Sequence, residues 1–341
     1  MEISALKNLE YLINKDEDKK KNLDFLGFVP CPIKPKFREA YEELAKEYYE
    51  QTGDQFFSFV PASCAINTDN AKSLSNVLSI DNIENMPDVM VAPGLSDIAN
   101  SKVLRNFISK GYYKRVIDIN ENETFNDLNL KDPWGAFNPI AIYATIILVD
   151  KKKIGNLPVP KSWKDLLNPI YKDSIVIPGG HGEVSMLFPM HMYKEFGEEA
   201  FEKIDNNVCN VLHGSKIAKI AGSGNSECAP IYVTSWFFAK ACANIKDIEI
   251  IWPEEGAFVE PAVMIVKKGA AEKTDRIVNF IKSEKVSRIF ADNYFISTYK
   301  RIDNKLPSDA KFQWIGWDYI YNNPIEEFKE KVQSAFKKYI K

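Results

Sequence analysis

Two short stretches hold the side chains best suited to chemistry: GGHGEVS at residues 179–185 and YVTSWF at residues 232–237. In the first, glycines let a backbone approach a ligand closely, and His181 and Ser185 could add direct contacts. It has neither the Gly-Lys-Ser/Thr of a phosphate loop nor GxGxxG spacing. A plain glycine turn between strand and helix is the competing reading. In the second, Thr234 and Ser235 offer hydroxyls, and Trp236 and Phe237 offer stacking or cation–π surfaces suited to an organic or desolvated ligand. Packing at a strand-to-helix junction competes there.

Cys31 and Cys64 each follow the end of an expected strand. With His181 they could grip a soft metal, or Cys31 could act as a nucleophile. A free cysteine is also often a small buried hydrophobe, which is how Cys209, Cys228 and Cys242 read. His191 reads as a packed histidine, and His213, heading HGSK, stays unassigned. No Ser-His-Asp order, HExxH or recognisable carboxylate pair stands out, so nothing demands catalysis, and no cofactor is implied.

The chain has 341 residues, room for two domains, with 45% hydrophobic and 27% charged residues. A net charge of -3 gives no electrostatic case for nucleic acid. Five cysteines without a CxxC pair argue for a chain kept reduced. No run of about 18 apolar residues suggests a membrane span. Residues 19–31 have the outline of a lipoprotein leader, but the apolar patch is short, carries Asp24 and ends in Pro30 before Cys31. The expected location is cytoplasmic as the chain stands, or extracytoplasmic if a leader has been trimmed.

The elements that must position these residues follow from periodicity. Residues 3–13 suit a short helix, followed by a charged linker. Strands are expected at 23–29, 54–60 and 87–94, with helices at 36–52 and about 96–110. Residues 137–149 form a long β-rich run. Further strands are expected at 173–180, 229–236 and 248–252, and a helix over 183–196 that Pro189 should kink. The last 70 or so residues read as helical, with the aromatics of WIGW, residues 314–317, packed beneath. This rhythm means an α/β layer with a mostly parallel sheet.

The segment PVPKSWKDLLNPIYKDSIVIP, residues 158–178, closely resembles a segment of ABC importer solute-binding proteins in the iron(III), thiamine and polyamine cluster. The stretch WPEEGAFVEPAVMIVKKGA, residues 252–270, is similar to a later signature of the same family. The resemblance implies an α/β, two-lobed type II periplasmic-binding-protein-like fold with two hinge crossover strands. Lobe 1 would take residues 25–140 and 262–341, and lobe 2 residues 141–261, with residues 1–24 as N-terminal helix and linker. Glu254, Glu255 and Gly256 would then turn at the ligand cleft, which explains carboxylates at the mouth of an apolar run. The iron branch commonly uses two adjacent tyrosines near the second lobe's strand. Here that place reads TSWFF with only Tyr232 nearby, which argues against direct iron(III) binding.

Ligands in open α/β sheets meet the loops beyond the carboxyl ends of strands. That rule selects Cys31, Ser63, Cys64 and Ser96 in lobe 1. In lobe 2 it selects Gly180, His181, Gly182, Ser185, Thr234, Ser235 and Trp236, with Glu255 added at the hinge. The expected protein is a monomeric solute-binding protein, not an enzyme, that captures a small molecule or ion by hinge closure and hands it to an ABC permease. The alternative is a cytosolic enzyme or metal-handling protein on the same fold, using Cys31 and Cys64.

Overall fold

The computed structural model describes residues 23–61, 80–95, 102–118, 123–180, 182–323 and 325–339. The expected N-terminal helix, most of the charged linker, Ser63, Cys64, Ser96 and His181 lie outside them. In chain order the elements include β1 (Phe25–Gly27), α1 (Lys34–Thr52), β2 (Ser58–Phe59), β3 (Val89–Ala92), α2 (Lys102–Ser109) and β4 (Phe137–Asp150). Then come β5 (Ile175–Gly180), β6 (Glu183–Val184), α3 (Leu187–Phe196), α4 (Glu199–Asn207), β7 (Val208–Leu212), α5 (Gly214–Ile220), β8 (Ile231–Ser235), α6 (Trp236–Lys240) and β9 (Ile248–Ile251). The chain continues through β10 (Ala257–Val266), α7 (Thr274–Ile281), α8 (Glu284–Asp292), β11 (Ile296–Ser297), β12 (Phe312–Trp314), α9 (Trp317–Asn322) and α10 (Ile325–Ala335).

These elements fall into two compact units. The first takes the chain up to Ile142, then Pro261–Asn293 and Ser297–Asp303. The second takes Tyr143–Glu260, Tyr294–Ile296 and Asn304–Lys341. The chain changes unit inside β4, between Ile142 and Tyr143, and inside β10, between Glu260 and Pro261.

In the first unit β1 is wholly buried and pairs in parallel with β2 and β3, and β10 runs antiparallel to β3. Helix α1 buries Phe37, Ala40, Tyr41 and Ala45, the one-face spacing of an amphipathic helix. Gly53 ends it in the left-handed region, at φ 71°, with its N–H on the Tyr49 carbonyl at 2.8 Å. Strand β2 is shorter than expected because the Asp24 carboxylate accepts the Phe57 N–H at 2.8 Å, taking the place of a ladder bond. Lys273 holds that carboxylate at 2.8 Å. Asn138, buried at the start of β4, accepts from the N–H groups of Val116 and Ile117 and donates to the carbonyls of Lys114, Ala136 and Met264.

In the second unit β5 lies parallel to β7 and β8, and β4 runs antiparallel to β8 and β9. The helix expected over 183–196 is replaced at its start by a strand: Glu183 and Val184 fold back on Gly180 and Gly179 as an antiparallel hairpin. A side chain on Gly179 would collide with Val211 and with the Glu183 carbonyl, so the fold-back needs a glycine there. Helix α3 begins only at Leu187, which puts Pro189 in its first turn, where the missing N–H costs no intrahelical bond.

The C-terminal residues differ from the expectation that grouped 262–341 with the first lobe, since Asn304–Lys341 belong to the second unit. The cause is the apolar face of α10 and the residues just after it. Phe328 packs on Tyr193 at 5.0 Å and on Phe201 at 5.6 Å between ring centroids, and Phe336 lies 6.4 Å from Phe201. The expected all-helical tail is also interrupted by β11 and β12, the latter paired in parallel with β10. Trp314 and Trp317 are buried, 5.0 Å apart and edge to face, around Gly316 at φ 88°.

Candidate functional site

In the second unit, Val176 of β5 is opposite Tyr232 of β8, and Pro178 is opposite Leu212 of β7. The registers carry Pro178–Gly180, Leu212–His213 and Thr234–Trp236 to one edge of the sheet, beyond or at the carboxyl ends of parallel strands. His213 is the member that sequence reasoning left unassigned. Its Nδ1 accepts the Ser215 N–H at 3.2 Å and caps α5. Its ring lies 5.8 Å from that of Phe238, edge to face, and a side chain on Gly180 would come within 2.9 Å of its Cδ2. No local signal singles out His213, because histidine is not among the usual N-capping residues.

At this edge two buried polar atoms have no hydrogen-bond partner among the described residues. Thr234 is fully buried and its Oγ1 is unbonded, and Trp236 is 5% exposed with its indole Nε1 unbonded. The Trp236 ring meets Trp252 at 5.5 Å and Tyr294 at 6.0 Å, both edge to face, and the Lys240 ammonium lies 5.0 Å from its centroid. Lys240 and Lys305 also lie over Tyr294, at 5.3 and 5.5 Å. The arrangement offers a donor, a hydroxyl and an aromatic, cation-flanked wall.

The family model of bacterial extracellular solute-binding proteins matches residues 84–323, well over half of the chain. The chain is a bacterial extracellular solute-binding protein. The fold is that of the two-lobed periplasmic binding proteins. An ABC transporter structure from Clostridium perfringens is 16% identical, covering 92% of this chain and 99% of that one, at a TM-score of 0.63. Apo ferric ion-binding protein A of Pasteurella haemolytica is 13% identical over 94% and 99%, at 0.61. The spermidine/putrescine substrate-binding protein of Streptococcus pneumoniae is 14% identical over 94% and 98%, at 0.54. Comparison with the curated proteins finds no match.

The other residues selected from the sequence differ in exposure and in partners. Ser185 is exposed, and its N–H donates to the Pro178 carbonyl at 2.9 Å. Gly182 is exposed at φ 83°, with open space around it. Ser235 is half-buried at the end of β8. Glu255 turns inward: its Oε2 accepts the Trp163 N–H at 3.2 Å. The carboxylate at the mouth of the apolar run therefore anchors the backbone of residue 163. Gly256, at φ 113°, sits so close to Lys311 that a side chain would come within 2.8 Å of its carbonyl carbon.

Cys31 is exposed and disulfide-bonded. That corrects two expectations, that the chain is kept reduced and that Cys31 serves as a nucleophile or thiolate ligand. An odd cysteine count excludes complete pairing but not one bridge, and a cystine sulfur offers no thiolate. Cys209, Cys228 and Cys242 are free, and burial raises the Cys209 thiol and raises Cys242 to about 11. Among the described residues no cluster of three or more His, Cys, Asp or Glu could hold a metal ion, and no helix is long and apolar enough to cross a membrane.

Proposed function

We propose that this solute-binding protein captures a small organic solute at the β5/β7/β8 edge of its second unit and delivers it to an ABC permease. It acts as a monomer, with no covalent chemistry. The observation that carries the reading is the pair of unbonded buried atoms, Thr234 Oγ1 and Trp236 Nε1. Leaving such a group unsatisfied costs about 1–3 kcal/mol, a cost that a ligand bearing an acceptor and a donor would remove. Backbone groups of Gly180 contribute, and the points where the chain changes unit inside β4 and β10 serve as the hinge. A bare ferric ion fits poorly, because it prefers anionic oxygen ligands and residues 234–238 supply none. The cystine at Cys31 fits an oxidising, extracytoplasmic location.

Native mass spectrometry of the purified protein, followed by thermal shift with spermidine, putrescine, thiamine, small carboxylates, phosphate and ferric chelates, tests this. A ligand at about 100 times its Kd stabilises by about 2.7 kcal/mol. The stabilising solute should bind at least about tenfold more weakly to Thr234→Val and to Trp236→Phe. Unchanged affinity in both variants would remove the site from this edge.

A further inference from the structure

The first unit contains a pocket of its own, about 580 Å³, in the size range of small-molecule sites. Its apolar floor includes Ile117 of the loop before β4, Ile140 of β4 and Ile281 at the end of α7. Thr298 shapes one wall, since its hydroxyl donates to the Ile140 carbonyl at 3.0 Å. Around that floor stand Lys282, Ser287, Tyr299, Lys300 and Arg301.

None of these five side chains forms a hydrogen bond or ion pair among the described residues. Elsewhere many lysines are paired: Lys152 with Asp247 at 2.9 Å, Lys267 with Asp88 at 2.7 Å, Lys338 with Asp205 at 2.8 Å. Ser287 is the more telling case. It is buried on α8, 6% exposed, yet its hydroxyl has no acceptor among the described residues and borders the pocket. The wall is therefore rich in donors, with three cations against one lining carboxylate, Asp118. Three gathered cations with free donor hydrogens attract multivalent oxyanions, and the isoleucine floor accepts a short carbon skeleton.

We propose that this pocket is a second binding site, separate from the Thr234/Trp236 edge, for a small polyanion with carboxylate or phosphate groups. Arg301 and Lys282 grip the anion and Ser287 and Tyr299 supply neutral hydrogen bonds. This proposal does not rest on the solute reading above.

Isothermal titration calorimetry with citrate and, separately, pyrophosphate on the full chain tests it and tells the two anion chemistries apart. At least one probe should bind, and its affinity should fall at least about tenfold in the Lys282→Gln/Arg301→Gln variant. Both residues are exposed, so folding should survive, which circular dichroism checks. The same affinity should persist in Trp236→Phe. Affinity should also fall with added salt. Absence of binding by both probes at millimolar concentration overturns the proposal. So does binding that survives the double substitution or that is lost in Trp236→Phe.

Discussion

The indole of Trp163 lies flat on the ring of Phe258, with centroids 4.1 Å apart and planes 9° from parallel. The same indole donates its Nε1–H to the Gly256 carbonyl at 2.8 Å, while Glu254 N–H donates to the Lys161 carbonyl at 3.0 Å. Two sequence segments almost a hundred residues apart are thus docked edge to edge in one unit. Removing the indole leaves a cavity against Phe258 and an unbonded carbonyl. Trp163→Ala should lose about 3–5 kcal/mol in urea unfolding, and Trp163→Phe should lose less, because the stack survives.

His191 stacks on Phe258 at 4.3 Å between centroids, and its Nε2 is buried without a partner. Burial, and secondarily the charge of Lys194, lowers its pKa to about 3, against a weaker opposing hydrogen bond with the Val259 backbone. The folded protein therefore holds the imidazole neutral where the unfolded chain would protonate it. Its contribution is fully present above the ordinary value of about 6.5 and is lost as pH falls from there towards 3, at up to about 1.4 kcal/mol per unit. Urea midpoints measured from pH 7 to 4 should fall more steeply for the wild type than for His191→Phe, which keeps the stack and carries no proton.

Gln333 of α10 clasps the peptide groups of Val184. Its Oε1 accepts the Val184 N–H at 2.7 Å, and its Nε2 donates to the Val184 carbonyl at 3.0 Å. The side chain thus stands in for a neighbouring strand and pins the glycine hairpin beside the proposed solute edge. Gln333→Leu should speed amide exchange at Val184 and weaken solute binding severalfold, with a stability loss of about 1–3 kcal/mol. Unaltered exchange would deny the clasp its role.

Asn138 satisfies five backbone groups around the start of β4 from one buried amide. Asn138→Leu leaves several of them without partners in a dry site. Chemical unfolding should show a loss of about 3 kcal/mol or more, while Asn138→Asp should also destabilise because its carboxylate cannot donate to the three carbonyls.

Much of this was legible in the residue order, and the misses have physical causes. The helix of Phe37, Tyr41 and Ala45 and the long apolar strands β4 and β10 announce themselves because local periodicity and backbone preference agree there. The end of β8 at Thr234 and Ser235 is legible because strand ends are local features. Nothing in the neighbourhood of Glu255 reveals that the Trp163 N–H is its partner, because the two residues lie 92 positions apart. Residues 183–184 read as helix in the sequence because Glu and Val are tolerated in either state, and the partners that decide, Gly179, Gly180 and Gln333, include one 149 residues away.

The α/β class, most strand and helix positions and the two segments that mark a solute-binding protein are legible in the residue order, because they depend on side-chain type and short-range spacing. Long-range packing instead sets which unit receives the C-terminal helix, the bridging of Cys31, the partner of Glu255, and where unbonded donors converge on a pocket. Those outcomes turn on contacts between distant residues, whose energies are set by burial and geometry and leave no local pattern to read.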